Sequence, residues 1–240
     1  MSKIAAIVPA AGLGTRMGAD MPKQFLELDG VPLIIFTLRR LAACAAITEF
    51  FVSTRADDVT SLQAMVTKAA LGTPARVVQG GDTRQQSVAN ALAQVDPSTE
   101  IVLVHDAVRP FVTVAQIERV IAEVRTRGAA ILGIPAIDTV KEVKRASLPE
   151  DVALISATIP RERIVLAQTP QGFSYPLLRD AFKKAQQDEV TASDEAAIVE
   201  RFGHDVFVVV GSERNLKITR PADMELAAFY LEQERCRAKQ

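Results

Sequence analysis

Ile4-Ala5-Ala6-Ile7-Val8-Pro9-Ala10-Ala11-Gly12-Leu13-Gly14-Thr15-Arg16-Met17-Gly18, continuing to Pro22-Lys23-Gln24, is the stretch on which the reading of this chain turns. Residues 4 to 8 form a short apolar run stopped by Pro9, the pattern of a strand buried on both faces of a parallel sheet. A sharp turn follows. Gly12, Gly14 and Gly18 admit backbone conformations closed to other residues and let peptide N–H groups approach a ligand, which makes a nest for an anion. Arg16 and Lys23 bracket that nest with positive charge. The plain alternative is a tight strand-to-loop turn carrying solvated charges, but a turn has no need of two cations facing its own amides. The spacing G-x-G-x-x-x-G is one residue longer than the dinucleotide fingerprint, and the second strand closes on Ser53-Thr54-Arg55 without an acid, which disfavours a dehydrogenase. A P-loop is excluded as well, since Lys23 lies beyond the glycines and is followed by Gln24.

Outward from this loop, helix and strand alternate. Helical periodicity from Pro32 to Ala45, a strand at Glu49 to Ser53, a helix over 57–69, a strand at Ala75 to Val78 and a helix at Gln85 to Val95 are predicted. The apolar run Ile101-Val102-Leu103-Val104, a helix at Val114 to Arg127 and a strand at Ala129 to Ile134 continue the rhythm. It specifies an α/β fold with a doubly wound, mostly parallel sheet, whose ligand crevice lies at the carboxyl ends of the strands. The loop at 10 to 23, Gly80-Gly81-Asp82 and His105-Asp106 all sit at such ends. After Pro135 the rhythm breaks. Asp138 to Lys144 and Val152 to Ile159 predict a β-hairpin arm over about 138–159, which needs a packing partner, most simply a second copy of the chain. A strand at Ile164 to Gln168, a helix after Pro176, a helix opening at Ser193-Asp194-Glu195, a strand at Val206 to Val210 and a helix from Pro221 complete one domain of residues 1–240.

Among the 240 residues 48% are hydrophobic and 24% charged, and the net charge is −1, so no global basic field draws the chain to nucleic acid or an anionic membrane. No apolar run reaches membrane-spanning length, and the chain enters a strand without a signal-peptide preface. Cys44 and Cys236, far apart in helical patterns, suit a reducing cytoplasm. With His105 and His204 as the two histidines, a multi-histidine metal site is disfavoured.

Asp106 ends a fully apolar strand, where a carboxylate can hold Mg²⁺, a hard cation that prefers oxygen ligands, or can simply cap a turn. Arg109 is its salt-bridge partner or a phosphate contact. His105 reads as a packed strand-end residue. Ser193 with Asp194 and Glu195 has the form of a helix start, and its hydroxyl could also touch a ligand. Lys217, between Leu216 and Ile218, reads as the polar face of a short strand.

Ala10-Ala11-Gly12-x-Gly14-x-Arg16 with Pro22-Lys23-Gln24, Gly80-Gly81-Asp82 with Ser87-Val88, His105-Asp106-Ala107-x-Arg109-Pro110, Asp138-Thr139-x-Lys141, Gln168-Thr169-Pro170-Gln171, Asp194-Glu195-Ala196 and Lys217-x-Thr219-x-Pro221 together resemble the 2-C-methyl-D-erythritol 4-phosphate cytidylyltransferases of the non-mevalonate isoprenoid pathway. The resemblance runs nearly end to end. It implies a homodimeric, cytoplasmic enzyme of nucleotidyltransferase (Rossmann-like) fold that joins CTP to the alcohol phosphate with Mg²⁺. It also implies roles. Arg16 and Lys23 would hold the triphosphate and the leaving pyrophosphate, with Gly12 and Gly14 lending amides. Ala10, Ala11, Gly81, Asp82 and Ser87 would frame the cytidine, with Asp106 and Ala107 on the same CTP side and Asp106 holding the metal. Arg161 and Lys217 would hold the phosphate of the alcohol, and Arg109, Thr139, Thr169 and Ser193 complete its site. Ser193 stands where the family most often has threonine. Without the extra domain of two-enzyme fusions, a second activity is not expected. The nearer rival is a ribitol 5-phosphate cytidylyltransferase; the farther is a non-catalytic nucleotide-binding regulator, which has no need of two phosphate-binding sets.

Overall fold

The computed structural model describes residues 2–12, 22–144 and 152–238. Gly14, Gly18 and Arg16 of the glycine loop and the Ala146 to Asp151 tip of the arm lie outside them. The elements, in chain order, are β1 (Ile4–Pro9), β2 (Glu27–Leu28), β3 (Val31–Pro32), α1 (Leu33–Ala42), β4 (Glu49–Thr54), α2 (Val59–Ala69), β5 (Ala75–Gln79), α3 (Arg84–Leu92), β6 (Ile101–Val104) and α4 (Val114–Arg127). They continue with β7 (Ala129–Pro135), β8 (Val140–Lys144), β9 (Leu154–Ile159), β10 (Val165–Ser174), α5 (Tyr175–Gln187), α6 (Glu195–Arg201), β11 (Phe207–Val210) and α7 (Pro221–Ala238).

Among the described residues a seven-stranded sheet runs in the order β11-β7-β10-β6-β1-β4-β5. β1 pairs in parallel with β4 on one side and β6 on the other, so the strand order reverses there and opens a crevice at their carboxyl ends. The continuous apolar runs follow from cover on both faces. In β1, Ile4, Ala6 and Val8 join a core with α1, α2 and α4, while Ala5 and Ile7 join a second core with α3, α5 and α6. A third cluster, including Leu33, Val108, Ile218 and Leu231, seats α7. Threonine opens α3 and α4 with matching capping boxes, Thr83 with Gln86 and Thr113 with Gln116.

Two local expectations are corrected, and one turn is added. The strand predicted at Ile164 to Gln168 runs instead from Val165 to Ser174, antiparallel between β6 and β7. Its register shifts between Ala167 and Gln171, around a cis Thr169–Pro170 bond, so the polar Gln168-Thr169-Pro170 interrupts the ladder without ending it. Lys217 lies in no strand; the chain there is held by Ile218 N–H donating to Val108 O at 3.0 Å. The added turn is Asp29-Gly30, which leads β2 into β3 with both residues at positive φ (56° and 71°), the pairing that a tight hairpin turn favours.

The arm is real as a hairpin, β8 paired antiparallel with β9. It grows from the β7–β10 pair, where Pro135 stands opposite Val165 and Ala136 N–H donates to Ile164 O at 3.1 Å. Ile137, Leu154 and Ile155 on it are more than half exposed, at 68%, 63% and 57%.

Candidate active site

Strand ends build the crevice. Ala10 N–H donates to Ser53 O at 2.7 Å, and the chain returns past the glycine loop because Gln24, buried at 2% exposure, donates from Nε2 to Ala10 O at 2.6 Å. That bond sets Lys23 in the wall. Gly12 does not take a positive φ, and a Cβ added to it would meet no atom of the described residues within 4 Å, so backbone freedom is not what this position requires. Gly80 and Gly81 are required by close approach: a Cβ would stand 2.7 Å from Ser87 Oγ at the first and 2.5 Å from Gln86 Cβ at the second. Ser87 Oγ in turn accepts from Gly81 N–H at 3.1 Å and donates to Thr83 O at 2.9 Å, fixing the loop at the start of α3.

Asp106, 7% exposed, is the electrostatic centre. Its Oδ2 meets Lys217 Nζ at 3.0 Å and Arg109 Nε at 3.2 Å, while Oδ1 lies 3.7 Å from Arg84 Nη2. Burial pushes its carboxyl up, but Lys217, Arg84 and Arg109 outweigh burial and hold the pKa well below the usual carboxylate range. Arg109 is spent below the floor, its Nη1 donating to Asn215 O at 2.6 Å. Beneath it lies His105, fully buried. The Arg109 carbonyl can only accept, so His105 Nε2 carries the proton (3.1 Å) and Nδ1 accepts from the Thr169 hydroxyl at 3.0 Å. Thr169 Oγ1 accepts in turn from Asp106 N–H at 3.0 Å. Burial lowers the His105 pKa to about 4, so the ring is neutral and packed, as the sequence suggested.

The crevice gathers Ala10, Ala11, Gly12, Lys23, Gly81, Asp82, Ser87, Asp106, Ala107 and Lys217 from the anticipated set. It does not gather Arg109 and Thr169, which support Asp106 from below. Thr139 and Arg161 stand exposed at the base of the arm, where Arg161 Nη1 donates to Ile137 O at 2.6 Å. Ser193 is exposed just before α6, and the cap of that helix is Asp194, whose side chain accepts from Ala197 N–H at 3.0 Å. Sequence reasoning missed Arg84 and saw Glu195 only as a first-turn acid. Arg84 lines the crevice and makes a two-pronged pair with Glu195 at 2.7 and 2.9 Å.

Chemically, Lys23, Arg84 and Lys217 face the opening against Asp82 and Asp106, an excess of cations suited to a polyanion. Among the described residues no group of three or more His, Cys, Asp or Glu could hold a metal. A single carboxylate still fits magnesium, which takes one or two carboxylates and completes its shell with water and substrate phosphates. Oδ1 of Asp106 is the fitting donor, since 3.7 Å is too long for Arg84 to occupy it with a hydrogen bond.

A family model described as "IspD: 2-C-methyl-D-erythritol 4-phosphate cytidylyltransferase" matches residues 4–233. A protein of that name from Acidobacterium capsulatum is 53% identical over 241 residues, covering 98% of this chain and 100% of its own length. One from Solibacter usitatus is 45% identical, with 98% of each chain covered. The crystal structure of 2-C-methyl-D-erythritol 4-phosphate cytidylyltransferase from Thermus thermophilus superposes with a TM-score of 0.76 at 34% identity, covering 95% of this chain and 98% of that one.

Proposed function

Since the chain belongs to the 2-C-methyl-D-erythritol 4-phosphate cytidylyltransferase family, which moves CMP from CTP to 2-C-methyl-D-erythritol 4-phosphate, we propose that this transfer takes place over Asp106, in the crevice between Lys23 and Lys217. The products are 4-CDP-2-C-methyl-D-erythritol and pyrophosphate. An oxygen of the alcohol phosphate bonds to the α-phosphorus of CTP as the bond to the bridging oxygen breaks, and pyrophosphate leaves with that electron pair. A phosphate oxygen is already a nucleophile, so the neutral, buried His105 is not needed as a base. The side chains position and neutralise charge. Lys23, with Arg16, stabilises the leaving pyrophosphate; Gly81, Asp82 and Ser87 frame the cytidine; Lys217 leaves Asp106 to take the incoming phosphate. Magnesium, held by Asp106 Oδ1 and the phosphates, would supply Lewis-acid charge stabilisation.

The observation that carries this reading is the set of cations converging on Asp106 at the topological switch of the sheet. Arg161 sits on the arm, away from the Lys217 wall, and the arm's apolar side chains are exposed. We read the arm as the contact of a homodimer that carries Arg161 and Thr139 to the partner's crevice, and the chain as one catalytic unit working in the cytoplasm. No helix among the described residues is long and apolar enough to cross a membrane. The deciding assay is pyrophosphate release with CTP, UTP, ATP and GTP, each offered methylerythritol phosphate and ribitol phosphate. CTP with methylerythritol phosphate should be fastest; preference for ribitol phosphate would reduce the assignment to the cytidylyltransferase class.

A further inference from the structure

Arg84 is the first residue of α3, where a positive charge opposes the helix dipole, so helix stability does not account for it. It is held from elsewhere. Its Nη1 and Nη2 donate to the two oxygens of Glu195, a carboxylate 1% exposed at the start of α6, while its own side chain keeps 30% exposure in the crevice wall. The next residue reinforces the link: Gln85 Nε2 donates to Val190 O at 2.9 Å and its Oε1 accepts from Ala192 N–H at 3.0 Å. A buried ion pair is seldom more stable than an apolar pair of the same size, so its presence points to placement of charge.

What it places is Arg84 relative to Asp106. Asp106 Oδ2 is already bonded to Arg109 and Lys217, whereas Oδ1 faces the Arg84 guanidinium across 3.7 Å. A guanidinium not drawn to Glu195 would close that gap and occupy Oδ1 as well. We propose that Glu195 is a positioning residue that holds Arg84 back from Asp106, so that Asp106 keeps one carboxylate oxygen open to the crevice for a divalent cation carried by CTP. The inference rests on the proposed role of Asp106. Arg84 is accordingly a positioning residue too.

The test is calorimetric titration of CTP, with Mg²⁺ and with chelator, against wild type, Glu195→Gln, and Arg84→Met/Glu195→Gln, beside their melting midpoints. Glu195→Gln should lose the Mg²⁺-dependent gain in CTP affinity by about 10-fold or more, the usual scale for groups that support a metal ligand. The double variant, with no guanidinium to close on Asp106, should recover most of that gain, so the second substitution repairs the first. Melting midpoints should not track the affinities. A Glu195→Gln protein with wild-type Mg²⁺ dependence, or a double variant no better than the single, overturns the proposal. If Glu195→Gln does not fold, Arg84→Lys decides: an ammonium is a point charge without the planar fork that fixes direction on the two Glu195 oxygens, so the same loss is expected, and full retention overturns it. Wild type showing no Mg²⁺ effect at all would overturn the metal role of Asp106 itself.

Discussion

Lys217 Nζ lies 3.0 Å from Asp106 Oδ2, so the lysine assigned to the alcohol phosphate and the carboxylate assigned to the CTP side are bonded to each other before either meets a ligand. Asp106→Asn separates two consequences of that bond. Removing one negative charge within about 10 Å of the triphosphate relieves a repulsion of ~1–2 kcal/mol for each phosphate charge at an effective dielectric near 20, so CTP should bind at least about tenfold tighter with no metal present. Turnover with Mg²⁺ should nevertheless fall on the order of 10²-fold. Titration and steady-state rates on one preparation check both; tighter binding with normal turnover would refute the role given to Asp106.

His105 yields a prediction about pH. Its folded pKa of about 4 lies below the ordinary value near 6.5, so between those values the unfolded chain binds a proton that the folded one refuses. Stability must therefore decline as pH falls through that window, by roughly 3 kcal/mol in all. His105→Gln offers one acceptor to Thr169 and one donor to the Arg109 carbonyl without titrating. Urea midpoints at pH 7, 6 and 5 should converge between the two proteins as the pH drops; a constant difference would show that His105 does not titrate as described.

Lys23 is set in the wall by the Gln24–Ala10 bond, so Lys23→Ala should leave the fold intact. Loss of one charge stabilising the leaving group should lower kcat by about 10²-fold or more. Circular dichroism with steady-state kinetics decides, and a raised KM at normal kcat would reduce Lys23 to a binding residue.

Arg161 on the arm and Lys217 in the crevice allow a complementation test. On the proposed homodimer, the Arg161→Ala and Lys217→Ala proteins should each be nearly inactive. Mixed in equal amounts after brief dissociation, they should regain up to about a quarter of wild-type activity, because about half the dimers are then heterodimers and each pairs one intact crevice with an intact arm. Mixtures that stay inactive would mean that Arg161 serves its own chain.

β6 and α4 stand where the apolar run and the 3.6-residue period put them, because both signals are local. The crevice was equally legible, since strand ends fall at fixed places once the strands are known. Lys217 misled because Leu216-Lys217-Ile218 alternates as a strand does, while Ile218 is buried by α7 and not by a ladder partner. The antiparallel course of β10 was hidden because the strand was ended at Gln168, where the polar Gln168-Thr169-Pro170 interrupts the apolar pattern but not the strand. The Arg84–Glu195 pair joins residues 111 positions apart, and no local pattern encodes such a contact. The one available cue was a cation in the first turn of α3, against the helix dipole.

Pro135 and Val165 face each other across two neighbouring strands, and the chain between them leaves and re-enters the sheet at one point. The arm is therefore a cassette. Its length and surface can change without altering the register of any strand that shapes the crevice, so whatever the arm carries or touches can vary while the sheet stays as it is. A chain with residues 137–163 exchanged for a short Asn-Gly turn should still unfold in one cooperative step, while sedimenting as a monomer. Loss of cooperative unfolding would show instead that the arm is part of what holds the sheet together.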